Sequence, residues 1–186
     1  MPPLFLQISV SLDGFIEDRD HDIEWMVNDT SLDALSTATL KSIDGMIFGR
    51  KAHELLAKFW PTAGDTPGAS ADLIEQARLM HDLPKYVLTH GDERTGWTNS
   101  HAITVDDVPR LKREAPRQIA VFAGASTAQA LLARDLVDDI RLLVYPVLLG
   151  GGTRLFADDG RRRNFELMSI ESFPSGATLQ RFLPRR

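Results

Sequence analysis

Two short segments carry the residues best suited to chemistry. Met46-Ile47-Phe48-Gly49-Arg50-Lys51 and Val121-Phe122-Ala123-Gly124-Ala125-Ser126-Thr127 each run from an apolar stretch through glycine into polar donors. This is the pattern of a strand passing directly into a helix. The first N–H groups of a helix have no intrahelical acceptor and carry partial positive charge, so such a junction attracts phosphate. Glycine lets the backbone come close to the anion. Arg50 and Lys51 place two cations at a helix start, where they oppose the helix dipole unless an anion is present. An adenine nucleotide with an extra phosphate suits them, and a solvated first turn is the plain alternative. Ser126 and Thr127 add hydroxyl donors, so a pyrophosphate fits the second junction. That junction has one glycine where the fingerprint G-x-G-x-x-G has three, and a simple helix cap explains it nearly as well when it is taken alone.

Further candidates surround this pair. Thr89-His90 follows an apolar strand and offers a hydroxyl and an imidazole to a ribose or its phosphate; an ordinary strand-ending turn competes with that reading. Gly150-Gly151-Gly152-Thr153 permits close approach of a ligand or a sharp bulge. Asp13, Glu17, Asp18, Glu24 and Asp29 supply carboxylates, and Trp25 and Trp60 supply flat faces for a heteroaromatic ring. The histidines at 21, 53, 81, 90 and 101 show no H-E-x-x-H or i, i+4 pairing, so a protein-bound metal is not expected. No G-x-S-x-G elbow is present. With neither nucleophile nor metal, a bound cofactor is the expected source of reactivity.

The elements that must position these residues alternate along the chain. Leu4, Leu6, Ile8 and Val10 have the period of a strand, which Asp13-Gly14 ends in a turn. Asn28 or Asp29 caps a helix bearing Leu32, Leu35 and Leu40, and Asp44-Gly45 closes it before a short strand over 46–48. From Arg50, the residues Ala52, Leu55, Leu56 and Phe59 mark one buried helical face, with Pro61 just beyond. A surface loop over 62–70 precedes a helix whose Leu73, Ile74, Ala77 and Met80 share a face. Strands are expected over 85–89, 102–105, 118–123 and 140–149, with helices over 106–114 and 126–136. The tail, 164–173 and 177–183 around Pro174-Ser175-Gly176, reads as an antiparallel hairpin closing an otherwise parallel α/β sheet.

Composition sets the outer bounds. The 186 residues are 43% hydrophobic and 25% charged, as in an ordinary folded chain of one domain over 1–186. A net charge of −5 and a pI of about 5.5 provide no basic stripe for nucleic acid. The absence of cysteine removes disulfides, thiolate metal sites and cysteine nucleophiles. With no signal-like start and no long apolar run, a cytoplasmic location without membrane contact is expected.

The chain resembles the dihydrofolate reductase fold, and within it the RibD C-terminal domain, the reductase half of the bacterial riboflavin-biosynthesis deaminase-reductase. The resemblance covers nearly the whole chain. It rests on the order and spacing of Ser9-Val10-Ser11-Leu12-Asp13-Gly14-Phe15-Ile16, Gly49-Arg50-Lys51, Val87-Leu88-Thr89, Phe122-Ala123-Gly124-Ala125 and Pro146-Val147-Leu148-Leu149-Gly150-Gly151-Gly152-Thr153-Arg154-Leu155-Phe156. It implies a three-layer α/β/α fold and NADPH as cofactor, with Arg50, Lys51 and Thr89 near the adenosine 2′-phosphate. Gly124, Ala125, Ser126 and Thr127 would lie under the pyrophosphate, and the loop from Ser11 to Gly14 near the nicotinamide. It also implies a homodimer and a pteridine-like or pyrimidine-like substrate beside the nicotinamide, near Trp25, Trp60 and Gly151.

Some positions depart from that pattern. Ala52 stands where threonine often follows the Arg-Lys pair, and Ala123 stands for the first of two glycines. Asp29 and Asp33 do not hold the spacing from Trp25 of the acid that binds pterin in dihydrofolate reductases, which argues against folate reduction. No deaminase motif exists. The resulting expectation is an NADPH-dependent reductase of a small planar heterocycle, with Asp13 or a nearby water as proton source. The stretch 142–149 and the C-terminal hairpin are candidate dimer surfaces. The rivals are an NADP(H)-binding sensor without turnover and a structural homodimer whose glycine junctions are mere caps.

Overall fold

Alternation along the first strand decides the layering. In β1 (Leu4–Ser11), Leu4, Leu6 and Val10 enter one apolar cluster, and Phe5 enters a second on the opposite face. The computed structural model describes residues 3–27, 29–89 and 96–185. After β1 come β2 (Phe15–Glu17), α1 (Thr30–Ser42), β3 (Ile43–Gly49), α2 (Arg50–Ala63) and α3 (Ala71–Asp82). Then follow β4 (Lys85–Leu88), β5 (Ser100–Ile103), α4 (Val108–Glu114), β6 (Gln118–Val121) and α5 (Ala125–Ala133). The chain closes with β7 (Asp139–Tyr145), β8 (Thr153–Arg154), β9 (Phe165–Ser172) and β10 (Thr178–Pro184).

Eight strands form one sheet in the order β5-β4-β3-β6-β1-β7-β10-β9. The first six are parallel, and β10 pairs antiparallel with both β7 and β9. The mixed sheet with its closing hairpin is therefore as expected. Residues of α4 and α5 cover one face, including Leu111, Ala128 and Leu131; α1, α2 and α3 cover the other with Leu40, Leu56 and Met80. At the start of β7 the fully buried Asp139 accepts from Arg141 Nε at 3.1 Å and Arg181 Nε at 2.9 Å, tying the hairpin to the sheet. Lys85, also fully buried, donates to the carbonyls of Met80, His81 and Leu83 and so closes the end of α3.

Several local expectations are corrected. Asp44-Gly45 does not end α1 in a turn: β3 begins at Ile43, and Gly45 sits at a bulge where a Cβ would come within 2.8 Å of the Tyr86 ring. Pro61 lies inside the last turn of α2, near the helix end, where the missing N–H costs a single backbone bond. Leu55 and Phe59 are 60% and 52% exposed, not buried. The inward stripe of α2 is the buried His53 and Ala63 with the half-buried Leu56, Ala57 and Trp60, the helical period displaced by one residue because a histidine occupies its first position. Ile74 is likewise exposed on α3, where Gln76 is buried instead and donates to Asp33 O and Thr37 Oγ1. The seventh strand ends at Tyr145 rather than 149. It lies between β1 and β10, with both of its edges paired.

Candidate active site

Parallel register brings the chemistry-bearing segments to one edge of the sheet. Gly49 pairs with Leu88, Ile47 with Val121, Leu6 with Val121 and Ser11 with Tyr145, so the carboxyl ends of β4, β3, β6, β1 and β7 lie side by side. From β3 the chain leaves through α2 on one face, and from its neighbour β6 it leaves in the opposite direction through α5 on the other. Such a reversal opens a crevice at the carboxyl edge of a parallel sheet.

Both helices that flank this crevice start at glycine. Gly49 caps α2 and Gly124 caps α5, and neither helix has a side-chain cap, whereas α1 is capped by Asp29 and α3 by Ser70. A helix start without a side-chain cap can present its backbone N–H groups to an anion. The two junctions interlock, because a Cβ at Gly49 would overlap Thr127 Oγ1, while nothing lies within 4 Å of one built at Gly124. Ala125 and Thr127 are buried and Ser126 is exposed, so Ser126 is the hydroxyl that faces outward. Arg50 and Lys51 are exposed in the first turn of α2, which contains no acidic residue; Arg50 Nε is 4.0 Å from Glu54 Oε1. Thr89 follows β4 at the same edge and its N–H donates to Ile103 O. His90 lies outside the described residues.

The loop after β1 has a different role from the one expected of Asp13. Ser11 is buried; its hydroxyl donates to Asp13 Oδ1 at 2.7 Å and accepts from Phe15 N. Asp13 also accepts from Leu149 N at 3.1 Å and Gly150 N at 2.8 Å. The Ser11 hydroxyl and these two backbone donors hold the carboxyl down to about 2. These contacts make it a staple between two loops and favour its ionised form over that of a proton donor. Gly14, at φ +85°, makes the turn, and its carbonyl accepts from Leu155 N.

The glycine run after β7 is filled by the protein itself. Arg19 Nη2 donates to Gly150 O at 3.1 Å, and a Cβ on Gly151 would strike the Arg19 guanidinium. A Cβ on Gly152, at φ +130°, would strike the Glu17 carbonyl. These glycines admit β2, which pairs with β8 in a two-stranded sheet that the sequence did not reveal. The Arg19 guanidinium thus lies directly against Gly151. On β2, Glu17 Oε1 accepts from Thr153 Oγ1 at 2.5 Å and meets His21 Nδ1 at 2.8 Å. Burial opposes the charge of Glu17, but these partners and Lys51 outweigh it and lower its pKa.

The two tryptophans are not brought together. Trp25 stands edge-on to Tyr145 with ring centroids 5.6 Å apart, at the carboxyl end of β7. Trp60, half-buried, packs against the α2/α3 cluster, about 16 Å along the helix from Gly49 at 1.5 Å per residue. Tyr145 and Arg19 escaped the sequence reading. Tyr145 had a signal, a phenol closing an apolar run just before proline; Arg19 had none. Asp29 is committed to α1 and to the hairpin, through Ser31 N, Leu32 N and Ser175 N.

The family model of the RibD C-terminal domain matches residues 2–179. The chain belongs to the RibD C-terminal domain family. It is 31% identical over 178 residues to the uncharacterized protein YyaP of Bacillus subtilis (strain 168), covering 93% of this chain and 90% of that protein. Among solved structures, it is similar to a putative riboflavin biosynthesis protein from Shewanella sp. PV-4, with a TM-score of 0.76, 22% identity and 99% coverage of both chains. It also superposes on a dihydrofolate reductase from Enterococcus faecalis, at a TM-score of 0.63 and 12% identity over 99% of this chain and 97% of that one. These likenesses establish the dihydrofolate reductase-like fold. This RibD C-terminal domain protein thus stands in a reductase-like family. Among the described residues no helix is long and apolar enough to cross a membrane, and no three His, Cys, Asp or Glu side chains converge on a metal site.

Proposed function

We propose that the protein is an NADPH-dependent reductase of a small planar heterocycle. The observation that carries this reading is the interlocked pair of uncapped helix starts at Gly49 and Gly124, with Arg50 and Lys51 on the first turn. A dinucleotide carries phosphates matched to both. The Enterococcus faecalis enzyme of the same fold was solved with NADP(H), which supports the choice of cofactor. When bound, the nicotinamide supplies a hydride.

In this reading, the α5 start and Ser126 hold the pyrophosphate, and Arg50, Lys51 and Thr89 hold the additional phosphate. The turn from Ser11 to Gly14, rigid through Asp13, forms a wall for the nicotinamide. Trp25, held edge-on by Tyr145, packs against the substrate. The catalytic gain comes mainly from holding donor and acceptor together. A proton, where the acceptor needs one, comes from solvent, since Asp13 is ionised and held by Ser11, Leu149 and Gly150. The protein would act in the cytoplasm as a homodimer, and β9 suits the dimer surface: it is a free sheet edge with Leu167, Met168 and Ile170 exposed.

A second reading, an NADP(H)-binding module without turnover, is favoured by the locking of Asp13, which leaves no free acid on the β1 turn. Titration with NADPH and NADH side by side, by calorimetry and thermal shift, tests the shared binding step. Binding selective for NADPH is expected, and binding of neither would sink both readings. Loss of reduced-nicotinamide absorbance with pteridine or pyrimidine acceptors then separates reductase from sensor.

A further inference from the structure

A groove of about 670 Å³ opens at the opposite pole of the sheet, beside the start of β7, the start of β9 and the end of β10. Its floor is apolar: Val137 is buried, and Phe165 and Leu183 are half-buried. Its rim bears Arg161, Arg162, Arg163 and Arg185. Two of these are neutralised within the chain. Arg161 Nη2 is 3.2 Å from Asp135 Oδ2, and Arg163 Nη2 is 2.7 Å from Asp159 Oδ2. The other wall carboxylate, Asp138, lies 2.5 Å from Lys112 Nζ. Arg162 donates to the Asn164 amide oxygen at 3.3 Å, and among the described residues neither it nor Arg185 has a carboxylate within ion-pair distance. Among the described residues, Arg163 Nε is buried with no acceptor.

Apolar floor, unmatched guanidinium groups and an unpaired buried donor describe a site with a definite chemical preference. We infer that this groove binds a small organic phosphate, a phosphate monoester with an aromatic or alkyl body. The guanidinium fork matches phosphate oxygens bidentately, and two guanidinium groups with no carboxylate partner among the described residues match a dianion. The volume lies within the roughly 300–1,000 Å³ range of small-molecule sites. The groove is separate from the carboxyl edge yet joined to it by one helix: α5 begins at the Gly124 junction, its Leu132 lines the groove, and Arg161 donates to Ala133 O at 2.8 Å.

The test is a calorimetric titration with phenyl phosphate, inorganic phosphate and benzyl alcohol, repeated on Arg162→Ala/Arg185→Ala and on Arg50→Ala. Phenyl phosphate should bind more tightly than either fragment. The double variant should weaken it about tenfold or more, the loss of roughly one charge-assisted hydrogen bond or greater, with an unchanged melting temperature for the ligand-free protein. Arg50→Ala should leave it unaffected, and Arg162→Lys/Arg185→Lys should retain part of the binding. The inference is overturned by no binding, by inorganic phosphate binding equally well, or by a loss that follows Arg50→Ala, which would place the probe at the carboxyl edge. A dimer that falls apart in the double variant, without phenyl phosphate binding in the parent, would make the groove a protein interface and overturn it too. None of these outcomes depends on whether NADPH binds.

Discussion

Two glycine-bearing turns lie at the same edge of the sheet and do opposite things. At Gly124 the space a Cβ would occupy is open and the helix start above it has no cap. At Gly151 and Gly152 the space is taken by Arg19 and by the backbone of β2. The first glycine leaves room for something from outside, and the others let the chain close on itself. In sequence the two look alike, since glycine after an apolar strand signals only that backbone comes close to something. What that something is depends on which distant segment folds over it.

The sharpest way to break the comparison is Gly152→Ala. The new methyl meets Glu17 O and must adopt a positive φ, so a loss of about 2–4 kcal/mol is expected in urea unfolding. Gly124→Ala, at φ −69°, should stay within about 1 kcal/mol of the parent while blunting the NADPH-induced rise in melting temperature. Equal destabilisation at both positions would erase the distinction. Next in size, Arg50→Ala should weaken NADPH by about tenfold, roughly 1.4 kcal/mol, and leave NADH binding unchanged. Parallel losses for both cofactors would mean that the α2 start does not hold the extra phosphate. Asp29→Ala probes a sealed helix start; removal of the α1 cap should cost about 1 kcal/mol of stability with no change in NADPH affinity.

The smallest effect concerns Asp13 and pH. Its folded pKa of about 2 lies below the ordinary 3.8, so its contribution to stability is present above the unfolded value and is lost as pH falls through the folded one. The difference in melting temperature between the parent and Asp13→Asn should therefore hold from neutral pH down to about pH 4 and vanish near pH 2. If turnover is found, its pH profile between about 5 and 8 should keep its shape in Asp13→Asn, because a group titrating near 2 does not change charge there. A profile limb lost in the variant would restore Asp13 as a proton donor.

Much of the fold was legible because hydrophobic period is a local property. Leu4, Leu6, Ile8 and Val10 announced a strand, and the hairpin around Gly176 was marked by its turn residues. The phase of α2 was not legible: Leu55 and Phe59 are apolar and correctly spaced, but the core selected His53, whose Nε2 lies 2.9 Å from Ser100 Oγ of a distant strand. The β2 and β8 strands are three and two residues long, too short to show any period. At the site, Gly49-Arg50-Lys51 and Gly124 to Thr127 could be picked out, because a strand end, a glycine and a helix start are contiguous in the chain.

The sequence by itself determined the order of elements, the strand-to-helix junctions and the residue types that meet an anion. Folding was needed to show that the two junctions interlock across adjacent strands, that Trp25 and Trp60 pack against different clusters, and that Asp13 is a staple. The physical reason is that a helix start or an alternating strand is specified by neighbours a few residues away. A carboxylate's charge and a glycine's purpose are set by partners such as Leu149, Gly150 and Arg19, which folding alone brings near.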